Sequence, residues 1–231
     1  MRERVEEASA QGIVVGLSGG VDSAVVAGLA RRAVGENVLG VLMPCHSQPV
    51  DAEYARLVAE AFDIKTITVD LGPVYDTLVA ALPEGSDLAQ ANLKPRLRMA
   101  TWYFIANTRT YLVAGGGNKT ELMVGYFTKY GDGGVDMLPL GDLYKRQVWE
   151  LAREIGVPQP IIDRPPTAGL WPGQTDEGEM GITYVTLDAI LAALAEGREP
   201  DADPDDVARV RRMVAASEHK RALPPICRIR D

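Results

Sequence analysis

The sequence predicts an α/β protein built on a doubly wound, mostly parallel five-stranded sheet with helices on both faces. Three observations carry this. Short apolar runs rich in β-branched residues, 13–18 (IVVGLS), 38–43 (VLGVLM), 65–70 (KTITVD) and 111–116 (YLVAGG), are each followed by a helix-length segment. Parallel neighbours need such crossovers, because no tight hairpin can join them. The first run is followed at once by glycine and serine, in GLSGGVDS, which lets the backbone turn sharply into a helix. Finally, 231 residues with 46% hydrophobic content can bury one substantial core, so a single domain spanning 1–231 is expected.

The remaining elements follow in order. The opening MRERVEEASAQG is charged and helical in character, with no apolar core of signal-peptide length, and no later segment approaches 18 uninterrupted apolar residues. A soluble, cytoplasmic protein without a membrane partner is expected. Between the third and fourth strands the pattern predicts a helix over 73–82, a break at PEGSD, and a long amphipathic helix over 88–109. Leu93, Leu97, Ala100, Phe104 and Thr108 recur there at helical steps, giving an apolar stripe. After 116 the periodicity loosens into KYGDGGVDMLPLGD. A helix, YKRQVWELAREIG, then ends at Gly156 with Pro158 just beyond. Residues 163–181, DRPPTAGLWPGQTDEGEMG, read as a long loop, either mobile or ordered by ligand. Two helices close the chain, the second with Asp203 as N-cap and Pro204 in the first helical position.

Charge narrows the function. The formal net charge is −8, whereas a nucleic-acid binder must meet dense phosphate with clustered Lys and Arg; nucleic acid is not expected as a partner. Cys45 and Cys227 lie far apart with no CxxC spacing, which predicts neither a disulfide framework nor a zinc site. The adjacent Cys45 and His46 have no third group in sequence to orient them, so no nucleophile pair is read there.

The chemistry concentrates at Ser18-Gly19-Gly20-Val21-Asp22-Ser23. At the carboxyl end of a first parallel strand, successive backbone N–H groups and the helix N-terminus converge on an anion, and the Ser18 and Ser23 hydroxyls add donors. An ordinary glycine turn would look similar, but Asp22 weighs against it. A carboxylate in a phosphate pocket repels its ligand unless a divalent cation lies between, which points to magnesium. The Walker lysine is missing, so the phosphate grip is of another kind.

SGGVDS resembles the pyrophosphate loop of the N-type ATP pyrophosphatases, which split ATP between its α and β phosphates. By itself the motif leaves several families open. The second half, through GYFTKYGDGG, PGQTDEGEMGITY and SEHKR, closely resembles ammonia-dependent NAD synthetase, over roughly nine-tenths of the chain. That resemblance implies ATP contacts at Ser18, Gly19, Gly20, Val21, Ser23, Gly116, Lys145 and Thr167, and magnesium on Asp22 and Glu121. It places deamido-NAD on Arg96, Lys129, Asp136, His219 and Lys220, and main-chain groups of Leu42 and Met43 at the adenine edge. Without it, Glu121 reads equally as a first-turn residue favoured by the helix dipole, and the EHKR helix end as a solvated face.

The implied reaction is attack of the deamido-NAD carboxylate on the α-phosphorus of ATP, then attack of ammonia on the NAD-adenylate, with AMP and pyrophosphate released. Asp22, Lys145 and Asp136 are the expected catalytic residues, Asp136 as the carboxylate that takes ammonium. The loop from Pro166 to Glu179 would close over the adenylate. Relative to the family, Gly116 stands where many members carry threonine, and the lead before the first strand is short. A homodimer is still expected. No glutaminase domain is visible, so ammonia would be free or supplied by a separate glutaminase subunit. The alternatives are a GMP-synthetase-type subunit, a tRNA-thiolating enzyme, which should show a basic surface and paired cysteines, and a non-catalytic nucleotide-binding regulatory module.

Overall fold

The four apolar runs become parallel strands, and no fifth strand forms among the described residues. The structure is a computed structural model that describes residues 1–171 and 173–229; Pro172, in the expected 163–181 loop, lies outside the described residues. In chain order the elements are α1 (Arg2–Glu7), β1 (Gly12–Gly16), α2 (Val21–Val34), β2 (Val38–Leu42), α3 (Pro49–Ala61), β3 (Lys65–Thr68), α4 (Gly72–Ala81), α5 (Asp87–Ala91), α6 (Leu93–Arg109) and β4 (Tyr111–Ala114). There follow α7 (Lys119–Val124), α8 (Lys145–Ile155), α9 (Gln159–Ile162), α10 (Asp176–Met180), α11 (Tyr184–Ala195), α12 (Pro204–Ala216) and α13 (Glu218–Arg221).

The sheet order is β3-β2-β1-β4. From β1 the chain steps outward to β2 and β3, then returns to lay β4 on the other side of β1. Ile13 pairs with Val38 on one side and with Leu112 on the other. This reversal is the switch point at which open α/β sheets hold ligands, beyond the carboxyl ends of β1 and β4. Alternation along the strands divides the core into two layers. Ile13 and Val15 pack with Val25, Val148 and Ala152 of α2 and α8, while Val14, Val41 and Val113 pack with Ile105 and Ala106 of α6. A third cluster, around Tyr184, Leu187, Leu191 and Val210, joins α11 and α12 to Val124 of α7.

Beyond β4 the sheet continues as a single bridge, Ala114 to Met137. Asp136 explains why. Its carboxylate accepts the Val113 N–H at 2.7 Å, while its own N–H donates to the Val113 carbonyl at 3.0 Å, so a side chain replaces a strand carbonyl on that edge. Pro139 then offers no N–H to continue a ladder.

The expected helix over 88–109 is two helices meeting at Asn92. Pro95 has no N–H to donate, and its ring would clash with the Ala91 carbonyl of a continuous helix. The buried face of α6 is also rotated from the expected stripe. Phe104 is 74% exposed, whereas Lys94, Pro95, Ile105 and Ala106 are buried. The inward face carries the cations Lys94 and Arg98, whose ends reach the Leu170 and Met43 carbonyls at 2.7 and 3.2 Å. The apolar stripe is therefore only partly the buried face, since Leu97 packs against the core while Phe104 faces outward. Within the expected 163–181 loop, Thr175 caps α10 by accepting from the Gly178 N–H at 3.2 Å. The Asp203 cap and Pro204 opening of α12 are as expected.

Candidate active site

A cavity of about 600 Å³ opens at the switch point. Its inner wall is the corner between β1 and α2. Gly19 takes φ +78°, and a Cβ there would stand 2.7 Å from the Asp51 carbonyl, so only glycine turns the chain this tightly. The Ser18 hydroxyl accepts the Gly20 N–H at 3.3 Å and lies 3.1 Å from the Ser23 hydroxyl, which in turn donates to the Gly20 carbonyl at 2.9 Å. The two serines thus brace the loop whose N–H groups and helix N-terminus form the anion cradle.

Opposite stands α7, whose N-cap Asn118 is fully buried. Its Oδ1 accepts the Glu121 N–H at 3.0 Å, and its Nδ2 donates to Asp22 at 2.8 Å. One capping residue thereby ties the Asp22 carboxylate to the backbone of Glu121. Lys145, at the first position of α8 and 1% exposed, bridges them: its Nζ lies 2.6 Å from Asp22 and 3.1 Å from Glu121. The start of α8 is itself held, since Lys145 N donates to the Thr120 hydroxyl at 3.0 Å and Arg146 N to Asp188 at 2.9 Å. Burial works against the Lys145 charge, but the Asp22 and Glu121 carboxylates outweigh it and hold the ammonium above its ordinary pKa. Burial also lifts the Glu121 carboxyl well above the usual carboxylate range, against the pull of Lys145.

The network extends into the loop. Tyr184, fully buried, donates from its hydroxyl toward Glu121 at 3.3 Å and Asp176 at 2.9 Å. Tyr126 does the same for Asp176 at 3.2 Å and Glu179 at 2.7 Å. Gln174 donates to Glu179 at 2.8 Å and accepts the Leu170 N–H at 2.8 Å. Burial raises the Asp176 carboxyl, with Lys145 opposing.

Of the residues expected at the site, Ser18, Gly20, Val21, Asp22, Ser23, Gly116, Glu121, Lys145, Thr167 and Lys220 line this one cavity, as do Leu42 and Met43. Gly116 lies against α2, where an added Cβ would be 3.6 Å from the Asp22 Cβ. The Leu42 and Met43 carbonyls are already engaged, by the Val69 N–H at 2.9 Å and by Arg98. Lys220 reaches the Gly125 and Phe127 carbonyls at 2.7 and 2.9 Å. The Thr167 hydroxyl accepts the Gly169 N–H at 3.0 Å.

Gly19, Arg96, Lys129, Asp136 and His219 do not line the cavity. Arg96 points outward on α6, and Lys129 donates to the His219 carbonyl. Asp136 accepts the Val113 N–H at 2.7 Å and the Tyr103 hydroxyl at 3.0 Å. The carboxylate of GDGGVD that lines the cavity is Asp132.

Sequence reasoning missed Asn118, Tyr184, Asp176, Arg98 and Arg164. Only Asn118 left a local signal, an Asn three residues before Glu at the start of a helix.

A glycine cradle at the switch point, faced by two carboxylates and a lysine, defines a nucleotide-polyphosphate enzyme on an α/β sheet. Residues 1–224 match the family model described as NAD synthase, and the chain belongs to that family. It is 52% identical to the NH(3)-dependent NAD(+) synthetase of Carboxydothermus hydrogenoformans, covering 98% of this chain and 93% of that one. Identity to the NH(3)-dependent NAD(+) synthetase of Archaeoglobus fulgidus is 50%, over 100% and 94%. Among solved structures, NMN synthetase from Francisella tularensis superposes with a TM-score of 0.92 at 36% identity, over 99% and 94% of the two chains. NH3-dependent NAD synthetase from Campylobacter jejuni gives 0.85 at 29%, over 98% and 94%. Among the described residues, no helix is long and apolar enough to cross a membrane.

Proposed function

We propose that this site converts deamido-NAD to NAD with ATP and ammonia, through an NAD-adenylate, releasing AMP and pyrophosphate. The observation that supports it most is the convergence of Asp22, Glu121 and Lys145 on the SGGVDS cradle.

Magnesium suits the donor set. Two carboxylates already gather around one cation-sized point, and a hard ion with few protein ligands completes its shell from phosphate oxygens and water. No group of three or more His, Cys, Asp or Glu side chains suited to a metal occurs among the described residues, so phosphate would have to supply much of the coordination. Asp22 and Glu121 would hold the ion, and when bound it would neutralise charge on the phosphates. The cradle amides and Lys145 stabilise the departing pyrophosphate. Asn118 and Tyr184 keep the carboxylates in place. Residues 166–171 and 173–179 would cover the cleft and exclude water that would hydrolyse the adenylate.

For the nitrogen, Asp132 replaces Asp136 as the carboxylate that attracts ammonium and takes its proton. Asp132→Asn is expected to slow the ammonia-dependent step about a hundredfold, while Asp136→Asn stays within a few-fold of the parent. Steady-state rates against ammonium concentration check this, and equal losses in both variants would return the role to Asp136.

The chain acts in the cytoplasm as a homodimer. Arg96 and Phe104 share the outward face of α6 at eight-residue spacing, so a second copy on that face would bring Arg96 toward an acceptor pocket and cover Phe104. Sedimentation should give a dimer that Phe104→Glu dissociates; a monomeric parent would defeat the dimer reading.

The function is tested by incubating the chain with ATP, magnesium, ammonium and deamido-NAD. NAD, AMP and pyrophosphate should form in equal amounts. Release of AMP with XMP instead would support the GMP-synthetase-type reading, and ATP binding without turnover the regulatory module. Because the Francisella tularensis neighbour is named for NMN, the acid form of that mononucleotide belongs in the assay as a competing acceptor.

A further inference from the structure

We propose that Arg164 is a second phosphate-binding cation of this corner, engaging the terminal phosphates of ATP and the pyrophosphate that departs. This rests on the reading of the site as one that cleaves ATP between its α and β phosphates.

The charged groups of the cavity lead to Arg164. The cations lining it are Arg98, Lys145, Arg164 and Lys220. Lys145 is neutralised by two carboxylates. Lys220 is occupied by the Gly125 and Phe127 carbonyls, and Arg98 by the Met43 carbonyl and the Ser47 hydroxyl. A polyphosphate tail carries several negative charges, and backbone amides offer only partial ones. The magnesium that Asp22 and Glu121 would hold neutralises part of that charge, and a further cation beside the cradle would meet more of it.

Arg164 stands at the cradle itself. Its Nη1 lies 3.5 Å from the Gly19 carbonyl, on the loop that turns around the anion position. Its Nη2 is held by Asp51 at 2.5 Å, and its guanidinium carbon sits 5.5 Å from the centre of the Tyr54 ring. Asp51 is fixed in turn, because its other oxygen accepts the Gln48 N–H at 3.0 Å in the capping box of α3. Among the described residues Nε donates to nothing, so the planar fork keeps donors for two phosphate oxygens. Pro165 and Pro166 follow immediately and limit how far this backbone can swing. Arg164 therefore also carries Thr167 toward the same tail.

Titration of magnesium pyrophosphate into the parent, Arg164→Gln, Arg164→Lys and Asp51→Asn proteins tests this without requiring turnover. Arg164→Gln should weaken pyrophosphate binding and raise the KM for ATP by at least about tenfold, the effect of losing a charge-assisted fork. The KM values for deamido-NAD and ammonium should stay within about twofold. Arg164→Lys, which keeps the charge and loses the fork, should fall between parent and Gln, and it serves as the decisive variant if Gln does not fold. Asp51→Asn should bind pyrophosphate as tightly as the parent or more tightly, since it releases the guanidinium to the anion. If Asp51→Asn weakens pyrophosphate as Arg164→Gln does, or if the Arg164 variants bind it like the parent, Arg164 is only a latch between the loop and α3. A parent that binds pyrophosphate through Arg164 yet forms no NAD would overturn the catalytic reading and leave this inference standing.

Discussion

Lys145→Met is expected to cost about 3–5 kcal/mol of stability and to lower turnover by about a hundred- to a thousandfold. The stability loss follows from removing one partner of a buried ionic cluster, which leaves the others uncompensated. Asp22 and Glu121 would face each other across the site with only Asn118 and Tyr184 donating to them. The methionine stem keeps most of the volume, so a cavity adds little. Protonation of Glu121 is the relief available, and this sets the pH dependence. Its folded pKa is already raised by burial and rises further without the ammonium, so the folded state binds a proton the unfolded chain releases. Stability of the variant then falls as pH climbs from the ordinary carboxylate range to that raised value. Urea unfolding at pH 5 and pH 8 should show the deficit larger at pH 8. A deficit that is small and flat with pH would mean that Lys145 does not compensate these carboxylates. The rate loss follows from the same charge, which faces the leaving pyrophosphate.

Asp22→Asn and Glu121→Gln should each lower turnover at least about a hundredfold while keeping the fold, because each removes one anionic anchor of the magnesium and leaves the hydrogen-bond geometry nearly isosteric. Stability should fall far less than in Lys145→Met. Either amide removes one of the two charges on a single ammonium, so Lys145 keeps a partner and circular dichroism should stay that of the parent. Raising magnesium should recover part of the Glu121→Gln rate and less of the Asp22→Asn rate, since Asp22 begins the helix that forms the cradle. Near-parent activity of either variant at saturating magnesium would remove both carboxylates from the metal assignment.

The alternation of strands and helices, the glycine corner, the cap of α12 and the placing of Lys145 at a helix start were all legible in the sequence. Each depends on residues a few positions apart: alternation follows strand pleat, helix ends follow orphan N–H groups, and a positive φ calls for glycine. The apolar stripe of α6 was misread in part, for a physical reason. Its inward face carries Lys94 and Arg98, so hydrophobicity did not mark it. The expected fifth strand is absent among the described residues, and beside β4 the Asp136 side chain bonds the strand edge.

The sequence by itself determined a parallel α/β sheet, a phosphate-gripping first corner and membership of one family of motifs. Only the tertiary structure decided which charges meet: Lys145 and Asp22 are 123 positions apart, and Tyr184 and Glu121 are 63. Local patterns record short-range preferences of backbone and side chain, whereas pairing among buried charges depends on how helices from distant parts of the chain cross over one sheet, and no periodicity encodes that.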